Sequence, residues 1–142
     1  MTRIDFHSNA PGKVSYTCRL ARKVRAAGHQ LVIFGADSAL LAELDRQLWT
    51  FSALDFLPHC YAHDALAAQT PILLASESCD TPHHEVLVNL DSTRPEFFGR
   101  FERLIEVVTT DDADRVAARE RWKFYRERGY EVTNFDLAGS SA

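Results

Sequence analysis

The residues with most chemical promise lie near the C-terminus, between Arg115 and Arg128. Arg115, Arg119, Trp122 and Arg126 step by four, three and four, a spacing that stacks them on one stripe of an α-helix. Ala113, Ala117 and Phe124 are expected on the opposite, core side. Six bases and two acids make this segment +4, against −8 for the remainder of a chain whose net charge is −4. A solvated face laced by i, i+4 pairs such as Lys123–Glu127 is the ordinary reading of such charge. Trp122 amid arginines argues for more, because Trp and Arg are enriched in binding hot spots and guanidinium groups fork onto carboxylates. The chemistry implied is recognition of an anion.

Catalytic patterns fail one by one. Ala10-Pro11-Gly12-Lys13-Val14-Ser15 follows the first expected strand, where a phosphate loop would sit, but the place of the loop's first Gly holds His7, and Val14 stands where Ser or Thr is needed. No G-x-G-x-x-G or G-x-S-x-G is present. His59 and His63 have a four-residue spacing and His83-His84 form a second pair. Cys60, rather than Glu, follows His59, and Pro58 argues against a helix there, so these are expected to be loop histidines. Cys18, Cys60 and Cys79 are odd in number and form no C-x-x-C; Cys18 reads as a packed small hydrophobe. We therefore expect no catalytic residues, metal or cofactor, and a reducing cytoplasmic location.

Aromatics concentrate in Leu48-Trp49-Thr50-Phe51 and Phe56-Leu57-Pro58-His59. They read either as buried core or as an exposed apolar patch for a partner.

These candidates must be positioned by one domain. The chain has 142 residues, 46% hydrophobic and 25% charged, with 6 Gly and 5 Pro, long enough to bury a core without disulfides. Apolar runs are too short for a membrane span, and the net charge argues against direct strong nucleic-acid binding. Short apolar runs alternate with helical periods, which predicts an α/β domain with a mostly parallel sheet flanked by helices. Strands are expected at Arg3–His7, Gln30–Phe34, Asp55–Leu57, Ile72–Ala75, Glu85–Leu90, Leu104–Val108 and, as a strand or extended tail, Tyr130–Leu137. Helices are expected from Ser15 to Ala27 with Ser15 as cap and Gly28 as stop, from Asp37-Ser38 to Trp49, and from Asp112 to Arg128 before Gly129, with a short helical segment from Pro95 to Phe101. Residues 1–142 are expected to form a single domain with a flexible tail over 136–142.

The pattern resembles a known family, the chi subunit of bacterial DNA polymerase III holoenzyme. The resemblance is carried by Leu48-Trp49 with Phe56-Leu57-Pro58-His59, by Val86-Leu87-Val88-Asn89-Leu90, by Phe97-Phe98 through Val108, and most specifically by Ala118-Arg119-Glu120-Arg121-Trp122-Lys123-Phe124-Tyr125-Arg126 ending at Gly129. It implies a Rossmann-like α/β sheet without a nucleotide site, and a clamp-loader accessory protein with no catalysis of its own. It further implies binding of the acidic C-terminal tail of single-stranded DNA-binding protein at Val108, Arg115, Arg119, Trp122, Lys123, Arg126 and Gly129. A contact with the psi subunit, or another clamp-loader component, is implied around Trp49 and Phe56. The residues support the tail site independently, since an acidic peptide ending in an apolar residue and a free carboxylate suits a basic helix face with an apolar notch. The rival from another class is a nucleotide- or nucleic-acid-processing enzyme on the same fold, which lacks any clustered acid, base or metal set here.

Overall fold

In a computed structural model, residues 1–50 and 57–139 are described. Among them, seven strands form one all-parallel sheet: β1 (Arg3–Ala10), β2 (Leu31–Phe34), β3 (His59–Tyr61), β4 (Ile72–Ala75), β5 (Val86–Asn89), β6 (Arg103–Thr109) and β7 (Val132–Asp136). Their order is β3-β4-β2-β5-β6-β1-β7. The helices are α1 (Lys13–Ala26), α2 (Ser38–Thr50) and α3 (Asp112–Glu127). Central strands such as Leu31–Phe34 and Ile72–Ala75 are buried along their whole length, which is why they read as unbroken apolar runs rather than as alternating ones.

Each sheet face has its own core. One combines Ile33, Leu74, Val88 and Ile105 with Cys18, Leu20 and Val24 of α1 and Leu41, Leu44 and Leu48 of α2. The other combines Ile4, Phe6, Leu87, Leu104 and Val108 with Ala118 and Tyr125 of α3 and the ring cluster Phe97, Phe98 and Phe101. Phe98 and Tyr125 meet edge to face at 5.2 Å, an arrangement that favours the ring quadrupoles.

Several expected boundaries move. β1 continues past His7 to Ala10, with a register shift between them and Asn9 at φ 59°; Asn tolerates that left-handed conformation better than most residues. α1 begins at Lys13 with Gly12 as its cap, so Ser15 lies inside the first turn and its hydroxyl bonds to the Gly12 carbonyl at 3.4 Å. Of the strand expected at Asp55–Leu57, Asp55 and Phe56 lie outside the described residues, and Leu57 precedes a strand that starts only at His59. Pro58 lacks an N–H for the ladder, and pairing begins after it with His59 opposite Ile72. In the Pro95–Phe101 segment the helical turn is a 3₁₀ turn over Phe98–Arg100. Of the tail expected over 136–142, Asp136 closes β7 and Leu137–Gly139 form another 3₁₀ turn whose Leu137 packs on the core, while 140–142 lie outside the described residues. Gly28 and Gly129 both take φ +85°, the left-handed conformation expected where α1 and α3 stop.

β1 leads into α1 on one face, whereas its neighbour β6 leads into α3 on the other. This is the switch point whose crevice holds ligands in open α/β sheets. Here the charged groups lining that crevice, a concavity of about 300 Å³, pair with one another. Lys13 Nζ donates to the Leu90 carbonyl at 2.7 Å and pairs with Asp114 at 3.3 Å, while Asp114 accepts from the Thr109 N–H at 2.8 Å and its hydroxyl at 3.0 Å.

Candidate peptide-binding groove

α3 is pinned to the sheet at two points. At its start Asp111 caps the helix by accepting from the Asp114 N–H at 3.2 Å. At its middle, Glu106 rises from β6 as a fully buried carboxylate and accepts from Arg121 Nε at 3.1 Å, Tyr125 OH at 2.6 Å and Asn89 Nδ2 at 2.7 Å. Arg121 Nη1 also donates to the Ser92 carbonyl at 2.7 Å. Burial pushes the Glu106 carboxyl above the usual carboxylate range, against the pull of Arg121 and the other donors; burial and the facing Glu106 push the Tyr125 hydroxyl up as well. Because each bond has its own direction, the network fixes the rotation of α3 about its axis.

That rotation differs from the expected one. The buried stripe is Asp114, Ala118, Arg121 and Tyr125, whereas Ala113 is exposed and Ala117 and Phe124 are half-buried. Arg121 therefore leaves the basic face for an ion pair beneath the helix. Phe124 lies between the Arg94 guanidinium, 3.7 Å from its centroid, and that of Arg128 at 4.6 Å.

Along the other flank of α3 runs a groove of about 290 Å³, bounded by α3 and the carboxyl ends of β1, β6 and β7. Phe6, Val108 and Ala118 give it an apolar floor, Trp122 an apolar wall, and Arg115 and Arg119 a cationic rim. The indole of Trp122 lies on Phe6 with centroids 5.1 Å apart, which holds a half-buried ring in one orientation. Ser8, Asn9, Asn134 and Asp136 complete the lining; Asp136 is held by Asn9 Nδ2 at 2.7 Å and the Ala138 N–H at 2.9 Å.

Four residues singled out from sequence, Val108, Arg115, Arg119 and Trp122, thus converge on one groove. Arg126 is exposed on the same stripe one turn further along and does not line it. Lys123 faces a separate groove of about 570 Å³ with Arg94, Glu120 and Phe124. Gly129 serves to end the helix. Among the described residues Arg115, Arg119, Lys123 and Arg126 form no ion pair, and the expected Lys123–Glu127 pair is absent. Sequence reasoning missed Phe6 and Asn134 as lining residues. The available signal was the alternation along β1, which puts Ile4 and Phe6 on one face.

At the far edge of the sheet, Trp49 is 52% exposed at the end of α2, its ring 4.1 Å from that of His59. Phe56 lies outside the described residues. His59 is a correction to the loop reading: it is a buried strand residue whose Nδ1 meets the Leu57 carbonyl at 2.7 Å and whose Nε2 meets Asp45 Oδ1 at 2.9 Å. No group of three potential metal ligands occurs among the described residues. Their cysteines are free, and burial pushes the Cys18 thiol up to about 11, so it resists forming the reactive thiolate. No described helix is long and apolar enough to cross a membrane.

The family model described as DNA polymerase III chi subunit, HolC, matches residues 1–133. The chain belongs to the chi-subunit family of DNA polymerase III. Its relatives include the protein named DNA polymerase III subunit chi in Pseudomonas aeruginosa, 36% identical over 141 residues that cover 96% of this chain and 98% of the relative. The proteins of the same name in Haemophilus influenzae and Escherichia coli are 30% and 26% identical, over 82% and 81% of this chain and 81% and 79% of the relatives. The chi-family match contains all of α3 and stops inside β7, short of Asn134 and Asp136.

Proposed function

We propose that this chi-family protein is a non-catalytic, cytoplasmic accessory subunit of the polymerase III clamp loader. It receives the acidic C-terminal tail of single-stranded DNA-binding protein in the α3 groove and joins it to the loader through psi, or another component, at the Trp49 surface. One observation carries the reading. An apolar notch built from Phe6, Val108, Ala118 and Trp122 lies directly under two arginines that have no ion-pair partner among the described residues. A terminal apolar side chain fills the notch, and the free carboxylate beside it meets Arg119 in a charge-assisted hydrogen bond. Arg126, one turn away, meets acidic residues further up the tail, and Lys123 adds to the local field.

Titration of the protein with an acidic peptide ending in Pro-Phe, read through Trp122 fluorescence, tests this. A saturable change that is lost when Arg119→Ala is combined with Arg115→Ala supports the groove. Equal binding to that double variant contradicts it. Exposed Trp49 supports the second contact, and Trp49→Ala is expected to weaken co-purification with the loader partner while leaving peptide binding intact; unchanged co-purification would remove that surface.

A further inference from the structure

β1 and β7 have two faces, and the α3 groove uses one. On the other, Asp5 and His7 of β1 lie beside Thr133 and Phe135 of β7. Arg103 of β6 reaches the same side and donates to Asp5 at 2.8 Å. α1 borders this strip. Its Tyr16 hydroxyl meets His7 Nδ1, and the two rings stand edge to face at 5.8 Å. Phe135 meets His7 edge to face at 5.4 Å, and the Arg19 guanidinium lies 5.8 Å from the Tyr16 centroid. A continuous row therefore runs from Arg19 through Tyr16 and His7 to Phe135, which is 48% exposed.

Basic groups outnumber acidic ones along the strip. α1 contains Lys13, Arg19, Arg22, Lys23 and Arg25 and no carboxylate. Lys13 is tied into the switch-point crevice and Arg25 donates to the His29 carbonyl, but Arg19 and Lys23 are exposed and form no ion pair among the described residues. Asp5 is one acid answering two bases, Arg103 and Arg3. The net charge of −4 conceals this local excess of bases over acids.

We propose that this strip, on the opposite side of the sheet from the α3 groove, is a contact for single-stranded nucleic acid. Phe135 offers a face on which an unpaired base stacks, while Arg19 and Lys23 follow the phosphates. Unpaired bases present their π-faces and duplex bases do not, so an exposed ring beside cations selects the single strand. An acidic peptide would use the cations and leave Phe135 without a partner. With so few cations on a chain of net charge −4, the contact is weak and sensitive to salt. The inference is independent of the tail-binding reading, since the two sites share no residue.

The test is fluorescence anisotropy of a labelled oligothymidine with the full chain at low salt. Saturable binding that weakens as salt rises is expected. Phe135→Ala should lower affinity about tenfold, the loss typical of one base–aromatic stack, and Phe135→Trp should restore it. Arg19→Glu with Lys23→Glu should abolish binding, whereas Arg119→Ala leaves it unchanged. Acidic-peptide affinity, measured in parallel, should survive Phe135→Ala, so failure of either site is seen separately. No binding at low salt, equal binding of a duplex, or indifference to Phe135→Ala would overturn the proposal. Displacement of the oligonucleotide by polyglutamate as effectively as by unlabelled oligothymidine would reassign the strip to acidic peptides.

Discussion

Two neighbouring concavities at the carboxyl ends of β1 and β6 treat their cations oppositely. In the switch-point crevice Lys13 is held by Asp114 and the Leu90 carbonyl, and its charge serves the fold. In the α3 groove Arg115 and Arg119 stand at the rim with no ion pair to a described residue, and their charge is available to a ligand. Where this architecture usually binds nucleotides the charges pair internally, and the groove whose cations form no ion pair among the described residues lies one strand over, on the β1–β7 side of α3. What distinguishes an available cation from a structural one here is its partner, not its position on the sheet.

Breaking the anchor beneath both regions should have the largest effect. Arg121→Leu leaves Glu106 buried without its counter-charge, and the expected loss is about 3–5 kcal/mol of stability, seen as a much lower denaturant midpoint; unchanged stability would mean α3 is held by packing alone. Converting the crevice should cost less. Lys13→Met removes one partly buried charge-assisted bond and is expected to cost about 1–2 kcal/mol while leaving acidic-peptide affinity untouched; a matching loss of affinity would show that the two concavities are coupled.

Acid should act on the strand they share. Burial, aided by the Arg103 charge, lowers the His7 pKa from 6.5 to about 4, so between those values the unfolded chain binds the proton and the native chain does not. Stability from this group is complete above pH 6.5, declines as pH falls and has gone below pH 4. The loss is on the order of 2 kcal/mol after discounting for the ring's partial exposure. In denaturation curves measured between pH 7 and 4, His7→Gln should show a shallower decline than wild type; parallel curves would contradict the assignment. The smallest expected effect is that of Lys123→Ala on tail binding, under about 1 kcal/mol, because Lys123 faces the neighbouring groove. A loss equal to that of Arg119→Ala would extend the site around the helix.

Much of this is legible in the sequence. The Leu104–Val108 run, the acidic start of α3 and the stop at Gly129 marked the elements that carry the groove, and the spacing of Arg115, Arg119 and Trp122 marked its helix wall. The core stripe of α3 was not legible, because reading by polarity sends Asp114 and Arg121 to the surface, and only tertiary partners such as Lys13 and Glu106 bring them inside. Phe6 was invisible for a related reason: it comes from a strand far away in sequence, and only the parallel pairing of β1 with β6 and β7 brings it beneath Trp122. β3 is not legible because a three-residue edge strand, His-Cys-Tyr, has a weaker apolar signal than the Phe56-Leu57 that precedes it.

The most direct test of the groove compares the free and C-terminally amidated forms of the acidic peptide on wild type and Arg119→Ala in a double cycle. The account predicts that Arg119→Ala weakens the free-acid peptide about ten- to a hundredfold, the equivalent of roughly 1.5–3 kcal/mol. It predicts that amidation does nearly the same to wild type, and that the two changes together cost little more than either alone. Additive losses, or equal affinity of both peptides for wild type, would contradict a terminal carboxylate held by Arg119.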